Sequence, residues 1–145
     1  MTSRSGFALV AALLALLLIA ALIASVFFAA MEEARITAAS AAKEVALSAA
    51  ESAIEATIRN WPATGSDSIG IGAAGSSTVD GFGMPVRVGV TRLDSTLYSI
   101  VAAAGSLSSQ SSATRRIEAI VRVRVASDHS ITIDRVPERW WSELF

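Results

Sequence analysis

Few side chains in this 145-residue chain have the types and spacing that catalysis requires. There is no cysteine, so a thiolate can serve neither as a nucleophile nor as a metal ligand. The one histidine, His129, follows Asp128 in a short polar segment, and no base is spaced to activate the serines. We therefore predict that the chain is not an enzyme and that His129 lies on the surface.

One glycine pattern could in principle bind a phosphate group. Gly70, Gly72 and Gly75 form G-x-G-x-x-G, but a dinucleotide site needs a strand before this pattern and a helix after it. Here the pattern lies in a polar segment and runs into two serines and a threonine. We predict instead that residues 62–83 are a Gly- and Ser-rich connecting loop.

The charged residues do not indicate a bound ion or nucleic acid. Asp67 and Asp80 could hold a cation together with loop carbonyl oxygens, but no other feature marks such a site. The net charge is −1, and Arg122 and Arg124 share a predicted strand face with Glu118. We expect no cofactor, no metal, no nucleic acid and no small-molecule substrate.

A long apolar segment near the N-terminus indicates where the chain is located. Residues 7–31 are apolar except for Ser25. A helix of this length, at about 1.5 Å per residue, reaches roughly 36 Å and can cross a hydrocarbon core of about 30 Å. Arg4 precedes the segment, whereas Glu32 and Glu33 follow it. The pattern predicts a transmembrane helix with the C-terminal domain outside the cytoplasm.

The junction before this segment is abrupt, because the leader MTSRSG ends at Gly6 and Phe7 begins the apolar run. Together with Arg4, it resembles the junction of the type IV pilin and pseudopilin superfamily, in which a short basic leader ends in glycine. The resemblance implies a leader over residues 1–6, cleavage by prepilin peptidase between Gly6 and Phe7, and N-methylation of Phe7. It also implies the bacterial inner membrane as location, and other minor and major pilins as partners through the N-terminal helix.

Three positions in the apolar segment indicate which branch of the superfamily is similar. Ala11 stands at the fifth position after the junction, where ordinary pilins carry glutamate, and Ala20 and Phe28 replace the glycine and proline of many major pilins. This combination resembles PilX-type minor pilins and the tip pseudopilin of type II secretion. It implies a structural subunit that assembles or initiates a pilus or pseudopilus. The alternative is an uncleaved single-pass anchor carrying an extracytoplasmic binding module, which fits the hydropathy equally well.

Residues 32–61 predict a continuation of the same helix, because they are rich in alanine and contain neither glycine nor proline. Glu55 and Arg59 are spaced to form an ion pair one turn apart. Pro62 should end the helix. The positions on its apolar face are Leu47, Ala50, Ile54, Ile58 and Trp61. This face suits packing against a sheet, with a coiled-coil stalk as the alternative.

Residues 84–136 alternate between apolar and polar side chains, which is typical of half-buried strands. The pattern predicts four strands, around 86–90, 97–102, 116–125 and 131–136. Short links between them favour an antiparallel meander. We therefore predict an α+β fold in which the long N-terminal helix packs on a four-stranded antiparallel sheet, as in pilins.

The tail, residues 137–145, has an unusual concentration of aromatic side chains. Pro137 can start a short helix there. Four residues would cluster on one side of that helix: Trp140, Trp141, Leu144 and Phe145. Such a cluster either seals one end of the core or contacts a neighbouring subunit, and we predict it as a possible partner contact.

Overall fold

The computed structural model describes residues 4–64, 66–105, 114–128, 130–137 and 141–144. One helix, α1, runs from Arg4 to Arg59 and confirms the predicted long N-terminal helix. The chain divides into two compact units, Met1–Ser40 and Ala41–Phe145. The first unit is therefore helical wherever it is described, and the second unit contains the end of α1 and the sheet.

Helix α1 ends at Arg59, close to Pro62, as the sequence predicts. The Asn60 amide still donates to the Ala56 carbonyl at 3.0 Å, and the Ala63 amide then donates to the Asn60 carbonyl at 2.9 Å. Residues Trp61–Thr64 form a 3-10 turn, and a second one covers Ser66–Ser68. The tighter turns redirect the chain toward the sheet, since Pro62 disfavours helical geometry at Trp61.

Within the described residues, the sheet has six strands rather than the predicted four. Their bounds are β1 Ala74–Val79, β2 Val86–Arg92, β3 Leu97–Ala104, β4 Arg115–Val125, β5 Ile131–Arg135 and β6 Ser142–Leu144. The order across the sheet is β1-β2-β3-β4-β5, and β6 also pairs with β4. All pairs are antiparallel. The predicted meander is therefore confirmed for β2 to β5 and is extended at both edges.

Strand β1 lies within the segment that we predicted to be a loop, so that prediction is wrong for residues 74–79. The strand is held by backbone pairing with β2, from Ala74 opposite Thr91 to Val79 opposite Val86. Gly72, in the turn before β1, has a φ of 79°, a conformation that glycine adopts without a steric cost. The glycine pattern leads into β1 rather than into the helix that a dinucleotide site would require.

The core lies between the C-terminal half of α1 and one face of the sheet. The helix residues that it buries are Ala46, Ala49, Ala50, Ala53 and Ile54. Leu47 and Ile58 pack against this core while partly buried, and Trp61 is fully buried. Most of the buried helix face is alanine, so the larger side chains of this core come mainly from the sheet and from Trp61. The predicted apolar stripe is thus confirmed.

An aromatic contact joins the turn after α1 to the sheet, and an ion pair joins α1 itself to the sheet. The rings of Trp61 and Tyr98 meet edge to face, with centroids 5.0 Å apart and planes at 85°. The Arg135 guanidinium of β5 donates a hydrogen bond to the Glu55 carboxylate. Glu55 therefore contacts the sheet, and the predicted pair with Arg59 is not its observed contact. Strand β5 brings Arg135 to the helix side of the sheet, which the sequence spacing of Glu55 and Arg59 does not reveal.

Candidate membrane and assembly surfaces

The first candidate surface is the apolar segment of α1 over residues 7–30. Its large apolar side chains are all exposed, from 54% for Ile19 to 78% for Phe7. Each such side chain gains about 1.5–3 kcal/mol when it leaves water, so a surface of this extent requires an apolar environment. Among the described residues, α1 is the helix long and apolar enough to cross a membrane.

The polar groups near this surface are compatible with burial in lipid or protein. The Ser25 hydroxyl donates to the Leu22 carbonyl at 2.8 Å, so the polar side chain inside the segment is satisfied by the helix itself. The first charged residues after the segment are Glu32 and Glu33. A guanidinium nitrogen of Arg35 lies 3.9 Å from a carboxylate oxygen of Glu32. The apolar segment thus ends where the charges begin.

The predicted cleavage junction lies at the start of α1. Gly6 and Phe7 are both helical, and the Phe7 side chain is the most exposed of the large apolar residues in the described chain. Ala11 lies one turn further on and is exposed. Alanine has no carboxylate, and the sequence of α1 contains no other acidic residue between Arg4 and Glu32.

The second candidate surface is the C-terminal tail, where the predicted short helix is wrong for the described residues 142–144. Ser142–Leu144 form β6, in which Leu144 lies opposite Arg116 and Ser142 lies opposite Glu118. Strand β5 pairs only with the part of β4 from Val121 onward. The backbone groups of β4 near Glu118 would otherwise remain unpaired, and a paired edge satisfies them better than a free helix would.

Side chains hold β6 in place. The Arg115 guanidinium donates to the Glu143 carboxylate, and both side chains are 30% exposed. Leu144 is half-buried. A partly desolvated ion pair of this kind is stronger than one in full solvent, because the surrounding dielectric is lower. The pair therefore adds a side-chain contact to the backbone pairing of β6 with β4.

Trp141 lies just before β6 and is 36% exposed. It borders a small cleft of about 30 Å³, together with Glu51 and Ile54 of α1 and Ile117 of β4. It therefore covers one border of the helix–sheet core while keeping part of its ring accessible. Trp140 and Phe145 lie outside the described residues. Contact of this tail with a partner remains a prediction.

The remaining candidate residues have simple surroundings. Asp128 accepts hydrogen bonds from the Ser130 hydroxyl at 2.6 Å and the Ser130 amide at 3.0 Å, and these lower the pKa of its exposed carboxyl. His129 lies outside the described residues. Asp80 is exposed at the end of β1, and in the described parts of the chain no three metal-ligating side chains come together.

No family model, no curated protein and no solved structure matches this chain. Its function must therefore be argued from its own residues and their geometry.

Proposed function

We propose that this chain is a minor pilin or pseudopilin, a structural subunit of a type IV pilus or a type II secretion pseudopilus. Prepilin peptidase would cleave it between Gly6 and Phe7 and methylate Phe7. The observation that supports this most directly is the basic, glycine-terminated leader opening onto an exposed apolar helix. The same helix continues into a stretch that is buried against an antiparallel sheet.

The exposed apolar segment serves two environments in this proposal. Before assembly it crosses the bacterial inner membrane, with the sheet domain outside the cytoplasm. During assembly it leaves the lipid and packs among the helices of other pilins. Ala8 and Ala12, and likewise Ala11 and Ala15, are four residues apart, the small-residue spacing that allows helices to approach closely in an apolar medium. One surface can therefore exchange lipid for neighbouring helices without exposure to water.

Ala11 supports a minor rather than a major role. In ordinary pilins, the glutamate at this position offsets the positive amino group of an adjacent subunit in apolar surroundings. A filament built only from this chain would bury that amino group uncompensated in every subunit, which is costly. We therefore expect the chain to be scarce in filaments and to lie at or near the tip. Quantitative mass spectrometry of sheared filaments tests this, and its presence as the dominant subunit would contradict it.

The processing step provides the decisive experiment. In a host with active prepilin peptidase, intact-mass measurement of the membrane-extracted protein should show a chain that begins at N-methylated Phe7. Gly6→Val should block the cleavage, whereas the neighbouring Ser5→Ala should not. A full 145-residue chain in that host would contradict the pilin proposal. The chain would then be the uncleaved, membrane-anchored binding module.

A further inference from the structure

Strand β1 leaves one edge of the sheet open. It is the terminal strand of the sheet order, and four of its residues are exposed: Ala74, Ser76, Ser77 and Thr78. At the opposite border, β4 is covered by β5 and β6. Natural edge strands are usually protected, since unpaired backbone groups form a template for another strand.

The hydrogen-bond pattern identifies which backbone groups are available. The Arg92 amide donates to the Ala73 carbonyl at 3.1 Å, and hydrogen-bonded pairs alternate with open pairs along an antiparallel ladder. The β1 residues whose backbone groups face β2 are therefore Gly75, Ser77 and Val79. Those whose amide and carbonyl groups point away from β2 are Ala74, Ser76 and Thr78. None of these three faces another strand within the described residues.

The open edge also lacks the usual side-chain protection. From Ile69 to Val79 the sequence contains neither a charged residue nor proline, and the exposed Asp80 lies just beyond the end of β1. The other border is different, because β5 carries Asp134 and Arg135, and Asp134 pairs with Arg124 of β4. Charge on an edge strand discourages pairing, so the two borders of this sheet differ in what they can accept.

A cleft lies beside the open edge, on the helix side of the sheet. Its volume is about 170 Å³, and its walls include Ile69, Val88 and Val90. Gly75 and Ser77 of β1 border the cleft, and the Ile69 side chain covers Gly75, since a Cβ at that position would lie 3.1 Å from Ile69 Cδ1. The Thr57 hydroxyl at its border is already satisfied by the Ala53 carbonyl at 2.8 Å. Ser66, Ser76 and Ser77 also line the cleft, so its walls are partly polar. By volume it has room for one leucine-sized side chain, since a cavity of about 150 Å³ can hold benzene.

We propose that β1 and this cleft bind an extended, uncharged peptide segment of a partner protein by strand addition. The segment pairs with the outward backbone groups of Ala74, Ser76 and Thr78, and one apolar side chain enters the cleft. In this mode of recognition, main-chain hydrogen bonds provide affinity and the pocket provides selectivity. A charged segment is disfavoured, because the edge offers no opposite charge to compensate for lost hydration. The proposal does not depend on the pilin assignment.

The test measures binding of a capped hexapeptide to the full chain in detergent micelles. Threonine alternates with valine in the peptide, and leucine replaces the valine at the fourth position. Ser76→Pro removes an outward amide without removing a hydrogen bond to β2, and proline is tolerated on such an edge. We expect it to weaken binding about tenfold or more, whereas Ser76→Ala, which keeps the amide, should change binding less than about twofold. Equal binding by both variants would overturn the proposal.

Two further measurements cover the remaining outcomes. If Ser76→Pro lowers the melting temperature, hydrogen exchange of the wild-type chain decides. The peptide should then slow the exchange of the Ser76 and Thr78 amides, and protection confined to other strands would overturn the proposal. Ser77→Leu fills the cleft, so it should weaken the leucine-containing peptide more than a peptide with alanine at that position. If the peptide does not bind and Ser76→Pro dissociates a wild-type dimer, the occupant is a second copy, and the proposal is wrong.

Discussion

Trp141→Ala should destabilise the sheet domain, because Trp141 covers the border of the core near Ile54 and Ile117. Replacing a fully buried tryptophan by alanine costs about 3–5 kcal/mol. Trp141 is 36% exposed, so roughly two-thirds of that value applies, or about 2–3 kcal/mol. For a domain of about 100 residues, each kcal/mol lowers the melting temperature by about 4–8 °C. The expected drop is therefore about 10 °C or more.

Calorimetry of the full chain in detergent micelles measures this change. Capture of pilins, the partners that the proposed function expects, measures partner binding in the native host. Val125→Ala is the matched control, since Val125 is 63% exposed at the end of β4 and loses a smaller side chain, so the same proportion predicts a cost of only about 1 kcal/mol or less. An unchanged melting temperature with lost capture would show that Trp141 acts in docking. If both the melting temperature and the capture remained unchanged, the reasoning about this tail would be refuted.

Three other predictions concern the packing and charges of the sheet domain. Ala53→Leu should cost about 1–3 kcal/mol in calorimetry, because the fully buried Ala53 leaves no room against the sheet, whereas the exposed Ser48→Leu should be nearly neutral. A double-mutant cycle on Glu55 and Arg135 should give a coupling of only about 0.2–1 kcal/mol that falls with added salt, since both side chains are nearly half exposed. The hydrogen bonds from Ser130 lower the pKa of the Asp128 carboxyl in the folded chain, so its stabilising effect is present above the ordinary aspartate pKa and is lost as the pH falls through the folded pKa. Asp128→Asn should therefore flatten the acid limb of stability against pH, and an unchanged limb would contradict this.

The strands that could be predicted are those in which side chains alone determine the pattern. In β4, the buried Ile117, Val121 and Val123 alternate with more exposed residues, so a strand of period two is apparent without knowing its neighbours. The end of α1 was predictable for a similarly local reason, because Pro62 restricts the residue before it. The helix face that contacts the sheet follows from the spacing of Ile54 and Trp61.

The edge strands were not predictable, because their structure depends on partners. The sequence of β1 contains glycine, serines and threonine with no apolar alternation, and β1 is a strand because its backbone pairs with β2. The same applies to β6, where a local preference for helix after Pro137 is overridden by the unpaired edge of β4. Glu55 illustrates the point for charges, since Arg135 reaches it from a distant part of the chain.

For the candidate surfaces too, local features could be predicted from the sequence, whereas features that depend on contacts between distant residues could not. The basic segment that ends at Gly6 and the length of the apolar helix are local properties, and the sequence alone determines them. The position of Trp141 against the core, the open edge of β1 and the cleft beside it exist only because distant segments meet in the folded sheet. Backbone pairing and cavity shape depend on which residues become neighbours, and only the tertiary structure decides that.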